Sequence, residues 1–146
     1  SRVNRYNFRM TDFFTRRLLE ALDEKPVLEA VEEVLRESRK VGFDYLDDAE
    51  AMSHFQSEVD EFIQAYAGGS AGEASDEAAD VQLLLAELLR RRGDSLDEAT
   101  KKNTRKFLLR LNFVEQRLQQ TGRTWADVEW PEDIKPLWDE AKAEGL

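Results

Sequence analysis

The chain has 146 residues, of which 41% are hydrophobic and 36% are charged, and its net charge is −10 at pH 7. This length and hydrophobic content suffice for one domain with a core, so we treat residues 1–146 as a single domain. The acidic balance argues against a nucleic-acid polymer or an anionic membrane as a partner. Because the chain contains no cysteine, disulfides and thiolate metal sites are excluded.

Helical periodicity and helix-end signals predict five to six helices. Pro26 is placed to open a helix and Gly42 to close it, while Ser95 and Glu98 have the spacing of a capping box. The predicted helices cover about residues 11–22, 27–41, 48–66, 73–92 and 96–120, and a short last helix contains Trp138. The fourth helix is apolar nearly all round, which is typical of the centre of a bundle. No segment alternates like a strand, so we predict an all-α helical bundle.

No segment approaches the roughly 18 continuous apolar residues of a membrane span. The basic residues of positions 1–10 are not followed by an apolar stretch of signal-peptide length. We therefore expect a cytoplasmic protein that does not bind a membrane.

Two carboxylate pairs stand at i, i+3 within predicted helices: Glu58 with Glu61, and Glu77 with Asp80. This spacing puts both members of a pair on one helix face. If the two helices pack side by side, four carboxylates approach one point, which is costly unless a cation holds them. Hard divalent ions such as Mg²⁺ prefer an all-oxygen shell of this kind.

A solvated helix surface is the alternative interpretation of these acids, because the chain contains 31 acidic residues. Two observations favour a metal site. Glu77 and Asp80 lie near the start of the most apolar helix, and the connection between the two helices is short enough to make them antiparallel neighbours. Spacing alone leaves both interpretations open.

A basic stripe lies on the fifth predicted helix, where Asn103, Lys106 and Arg110 stand at i, i+3 and i+7. A solvated cationic face that pairs with acids elsewhere is the simplest explanation. Beside a magnesium site, however, Lys and Arg side chains could neutralise a polyphosphate, since Arg binds phosphate oxygens in a bidentate manner.

The order and gaps of several short motifs resemble the MazG nucleoside triphosphate pyrophosphohydrolases over about Leu28 to Lys142. The motifs are Gly42-Phe43-Asp44-Tyr45, Glu58-Val59-Asp60-Glu61, Glu77-Ala78-Ala79-Asp80-Val81, Lys106-Phe107-Leu108-Leu109-Arg110, Phe113-Val114-Glu115 and Leu137-Trp138-Asp139-Glu140-Ala141-Lys142. An EExxE motif followed by ExxD is typical of this all-α superfamily.

The resemblance implies hydrolysis of a (deoxy)nucleoside triphosphate between the α and β phosphates, giving a monophosphate and pyrophosphate, in the cleansing of nucleotide pools. It implies an obligate homodimer, with a higher oligomer left open, whose site forms within a four-helix core. Mg²⁺ or Mn²⁺, as one or two ions per site, would be bound by four acids that also carry the catalysis: Glu58, Glu61, Glu77 and Asp80. The triphosphate would contact Lys106 and Arg110, with Trp138 near the nucleotide and Phe43 and Tyr45 lining the base pocket.

This sequence departs from the family pattern at three positions. Ser57 stands where the first acid of EExxE is expected, and His54 stands where a lysine is usual. Asn103 is displaced by one position, about 100° around a helix, so its role in substrate binding is open. The first 25 residues have no counterpart and are predicted to serve a dimer contact. A helical dimer that binds a nucleotide or protein with weakened turnover is the alternative function.

Overall fold

A computed structural model describes residues 13–146, apart from the side chains of residues 13–16 and of Leu19. Within this range the chain is all-helical and contains no strand, which confirms the predicted fold class. The helices are α1 (Phe13–Glu24), α2 (Val27–Lys40), α3 (Asp48–Gly68), α4 (Ala71–Arg91), α5 (Leu96–Gln120) and α6 (Ile134–Ala143), with a short 3₁₀ helix at Trp125–Asp127. The predicted helix start at Thr11 and residues 1–12 of the predicted dimer contact lie outside the described residues. None of the described helices has the length and apolar character that a membrane crossing requires.

The boundaries of α2 and α3 follow from local chemistry. Pro26 occupies the N-cap position of α2, where its missing N–H costs nothing because the first N–H groups of a helix have no partner within it. Gly42 follows α2 with φ +92°, a conformation that glycine adopts at little cost. The carboxylate of Asp47 caps α3 by accepting a hydrogen bond from the N–H of Glu50 at 2.8 Å.

Helices α3 and α4 form a hairpin joined only by Gly69 and Ser70. The Ser70 hydroxyl accepts from the N–H of Glu73, and the Glu73 carboxylate accepts from the N–H of Ser70, each at 3.2 Å. Because Ser70 is the cap, α4 begins at Ala71, two residues before its predicted start. A Cβ on Gly69 would lie 2.7 Å from the carbonyl oxygen of Ala65, so the turn is tight.

The chain forms two compact units, one ending at Asp97 and the other running from Glu98 to Leu146. In the first unit α4 packs against α3 and α2, and α1 packs against α2. Among the described side chains of this unit, the buried hydrophobic ones are Leu18, Ala21, Ala30, Ala51, Leu84 and Ala86. Most of these are alanine, whose small side chain lets helix backbones approach closely. The all-round burial expected for α4 is incomplete, since Leu83 and Leu85 are 40% and 38% exposed.

The second unit has its own small core, in which Val114 and Leu118 of α5 pack with Val128. Ile134, Leu137 and Trp138 cover this cluster from the α6 side. Arg117 of α5 and Glu140 of α6 pair at 2.9 Å. The second half of α5 and α6 are therefore held together by both apolar packing and an ion pair.

Candidate metal centre and adjoining cavity

The α3–α4 hairpin brings together three of the four acids that were predicted as metal ligands. One carboxylate oxygen from each of Glu58, Glu77 and Asp80 lies within 4.8 Å of the other two. Glu58 and Glu77 are half-buried, whereas Asp80 is exposed. Glu61 lies outside this group on an exposed position of α3. We call Glu58, Glu77 and Asp80 the acid cluster.

Glu77 is the electrostatically unfavourable member of the acid cluster. Its Oε2 atom is enclosed and accepts no hydrogen bond within the described chain. Burial raises the pKa of the Glu77 carboxyl, and the neighbouring carboxylates of Glu61, Glu58 and Asp80 raise it further. Burial and repulsion among these carboxylates therefore disfavour the ionised form of Glu77.

A hard divalent cation fits this donor set. Mg²⁺ binds oxygen ligands at about 2.1 Å, so two ligands of one ion are at most about 4.2 Å apart. The ligand atoms of the acid cluster lie within 4.8 Å of one another, so at most a small movement of the side chains would bring them to this spacing. Mg²⁺ usually keeps several waters or substrate oxygens beside one or two carboxylates, so three acids suffice to hold it.

Replacing Glu77 with glutamine should stabilise the cation-free protein at neutral pH. A raised carboxyl pKa means that the folded state holds the proton more tightly than the unfolded chain, so the contribution of Glu77 to stability is lost as the pH rises through the folded-state pKa. We expect Glu77→Gln to melt at a higher temperature than the parent in EDTA at neutral pH. The difference in melting temperature between the two proteins should narrow as the pH falls towards 4.5, the ordinary pKa of this carboxyl.

The matched control is Glu132→Gln, which removes the same charge at an exposed position outside every helix. This change should leave the melting temperature nearly unaltered, because isolated surface substitutions usually change stability by less than about 0.5 kcal/mol. Equal melting temperatures for Glu77→Gln and the parent across this pH range would show that the acid cluster is not under electrostatic strain.

A cavity of about 360 Å³ adjoins the acid cluster. Glu58 and Asp80 form part of its wall, and its remaining lining is mostly apolar or aromatic: Val34, Leu35, Phe43, Tyr45, Leu83 and Leu84. Phe43 is 75% exposed at this cavity, so its ring is accessible to a flat ligand. The cavity can thus accept a ligand with an apolar planar part.

A buried ion-pair network forms part of the cavity wall. Glu87 of α4 is completely buried, and its carboxylate accepts hydrogen bonds from Arg39 Nε of α2 at 2.8 Å and from Arg90 Nη2 at 2.6 Å. Arg39 also donates to the carbonyl oxygen of Phe43 at 2.7 Å, and its guanidinium lies 5.3 Å from the centre of the Tyr45 ring. One arginine therefore fastens the segment after α2, with both aromatic residues, to α4.

The other predicted site residues lie in the second unit. Lys106 and Asn103 are exposed on α5, and the Asn103 side chain donates to the carbonyl oxygen of Ala99 at 3.0 Å. Arg110 donates to the main-chain oxygen of Leu146 at 2.7 Å and 2.9 Å. Trp138 packs against the core of its unit and contacts the ring of Phe107, so it has a packing role here. The substrate-binding roles of these residues stay predictions.

Two features of the site were missed by sequence reasoning. The first is the contact between His54 and Glu58, which the spacing of i, i+4 on a helix already indicates. The structure gives that contact as 3.0 Å between His54 Nε2 and Glu58 Oε1. The Arg39–Glu87 pair could not be found, because 48 residues separate its members and no local signal joins them.

Comparison of the chain with protein-family models finds no matching family. Comparison with curated proteins finds no matching sequence.

Proposed function

We propose that this chain is a nucleoside triphosphate pyrophosphohydrolase of the MazG type. It would use Mg²⁺ or Mn²⁺ to cleave a (deoxy)nucleoside triphosphate between the α and β phosphates. Its role would be the cleansing of nucleotide pools. The proposal rests on the motifs described above together with the geometry of the acid cluster.

The enclosed Oε2 atom of Glu77 is the observation that carries this proposal. Acids on a solvated helix face turn towards water, where each oxygen finds a hydrogen bond. Glu77 instead has an enclosed oxygen that accepts no hydrogen bond from the described part of the chain and lies close to two further carboxylates. A bound divalent cation would supply the missing partner and offset the repulsion.

The cavity supports a nucleotide as the ligand. Aromatic and aliphatic side chains dominate its lining, and two members of the acid cluster share its wall. A nucleobase could stack on Phe43 and Tyr45 while its phosphates approach the cation. Stacking tolerates every base, so this arrangement leaves the base preference open.

Each functional residue then has a defined task. Glu58, Glu77 and Asp80 would hold the cation, with Glu61 as the fourth predicted ligand. When bound, the cation would neutralise phosphate charge and lower the pKa of the attacking water. Lys106 and Arg110 would stabilise the charge that develops on the pyrophosphate leaving group. A homodimer with a four-helix core is part of the proposal.

Product analysis tests the function directly. The protein should be mixed with a panel of ribo-, deoxy- and oxidised nucleoside triphosphates in Mg²⁺, and the products separated by chromatography. We expect a nucleoside monophosphate and pyrophosphate in equal amounts, and no turnover in EDTA. Release of a diphosphate and inorganic phosphate would indicate a different bond cleavage and would contradict the proposal.

A binding module without turnover is the second candidate, and Ser57 favours it. This residue stands where the family pattern places an acid, so the ligand set is one carboxylate short of that pattern. If the panel yields no product while a nucleotide still binds in Mg²⁺, this second function replaces the first.

A further inference from the structure

A hydrogen-bonded chain of three side chains ends at the acid cluster. The Tyr45 hydroxyl lies 2.6 Å from His54 Nδ1, and His54 Nε2 lies 3.0 Å from Glu58 Oε1. Tyr45 comes from the segment between α2 and α3, whereas His54 and Glu58 are one turn apart on α3. These two hydrogen bonds therefore link the wall of the cavity to a proposed cation ligand.

The chemistry of the three groups sets the direction of both hydrogen bonds. Burial, together with the charges of Glu87, Glu50 and Glu58, raises the pKa of the Tyr45 hydroxyl despite the opposing effect of Arg39. Tyr45 therefore stays protonated, and its O–H donates a hydrogen bond to Nδ1 of His54. A neutral imidazole has one donor and one acceptor nitrogen, so Nε2 carries the ring proton and donates to Glu58.

Tyr45 is itself held in place. The Arg39 guanidinium lies 5.3 Å from the centre of its ring and donates to the neighbouring carbonyl oxygen of Phe43. Arg39 is in turn fixed by the fully buried Glu87. The imidazole of His54 is 48% exposed and would rotate freely on its own, but this anchored hydroxyl gives it one preferred orientation.

We propose that His54 is a positioning residue for the cation site. The hydrogen bond from Tyr45 keeps His54 in the tautomer that is protonated at Nε2. His54 then donates to Glu58 Oε1 and leaves Glu58 Oε2 directed to the cation. This inference rests on the proposed cation-dependent function. Hydrogen bonds to ligating groups orient them before the metal arrives, and losing such a partner typically weakens metal affinity about 10- to 100-fold.

Magnesium affinity, measured without nucleotide, tests the proposal. Calorimetric titration of His54→Ala should show Mg²⁺ binding about 10- to 100-fold weaker than the parent. Tyr45→Phe should weaken binding about 2- to 10-fold, as expected for one neutral hydrogen bond. His54→Gln should recover most of the affinity, because its amide can accept from Tyr45 and donate to Glu58. Gln56→Ala, an exposed change on the same helix, should bind like the parent.

The outcomes separate this proposal from the function on which it rests. If the parent binds no Mg²⁺, the proposed cation site fails. If the parent binds and His54→Ala binds equally well, the site stands and the positioning role is overturned. Equal losses in His54→Gln and His54→Ala would also overturn it. If His54→Ala has a lower melting temperature than the parent in EDTA, the Mg²⁺ affinity of Tyr45→Phe decides whether the positioning role stands, because that variant removes only a hydroxyl.

The tautomer gives a second test that involves neither metal nor activity. The chain contains a single histidine, so the ring ¹⁵N signals of labelled protein need no assignment. At mildly alkaline pH we expect a protonated Nε2 and an unprotonated Nδ1. A proton on Nδ1, or rapid averaging of the two tautomers, would overturn the proposal.

Discussion

Asp80→Asn should lower the rate of nucleotide hydrolysis at least about 100-fold while leaving far-UV helicity intact. Asparagine preserves the shape of the side chain but removes one of the three negative charges that would hold the proposed cation. A bound metal contributes several kcal/mol of charge stabilisation in the transition state, and each 1.4 kcal/mol is worth about a factor of ten in rate. Pyrophosphate release in Mg²⁺ measures the effect.

Asp60→Asn is the matched control for this experiment. Asp60 lies on α3 between two predicted ligands, yet it is exposed and outside the acid cluster. This variant should retain the activity of the parent. Full activity in Asp80→Asn would refute the assignment of the metal site, whereas equal losses in both variants would point to net charge rather than to coordination.

Arg39→Met should reduce the free energy of unfolding by about 1.5–3 kcal/mol, the range for hydrogen bonds to a charged group, because Arg90 still pairs with the buried Glu87 carboxylate. Glu87 has no exposed surface, and Arg39 is only 12% exposed. Methionine fills much of the same volume but leaves the buried carboxylate with Arg90 as its remaining cation. Urea denaturation followed by circular dichroism measures the loss.

Arg36→Met provides the comparison, since Arg36 lies one turn earlier on the same helix and is exposed. Its effect should stay below about 0.5 kcal/mol. Adding Glu87→Leu to Arg39→Met should recover part of the loss, because replacing both members of a buried pair by apolar groups is often neutral. Similar losses in Arg36→Met and Arg39→Met would mean that the buried pair has no special role.

The helices could be predicted because their signals are local. Pro26, Gly42 and Asp47 each act on the backbone within a few residues, and the structure places a helix end at each. The short 3₁₀ helix at Trp125–Asp127 was not predicted, since three residues are too few for a periodic pattern.

The candidate site was only partly predictable. Spacing at i, i+3 puts Glu58 and Glu61 on one face of α3, but it does not determine how α3 is rotated against α4. That rotation, which depends on packing, brings Glu58 to Glu77 and leaves Glu61 outside the acid cluster. The contact between Tyr45 and His54 depends on the path of the segment after α2, which Arg39 and the distant Glu87 determine.

Connections between helices usually tolerate insertions, because lengthening a flexible loop costs little entropy. The turn of Gly69 and Ser70 is different, since both ends are capped and a side chain at Gly69 would collide with Ala65. One residue added to the first two turns of α4 would rotate Glu77 and Asp80 about 100° away from Glu58. For the proposed cation site, the number of residues between the acids is thus as strict a requirement as their identity, and a deletion or insertion there would remove two of the proposed ligands at once.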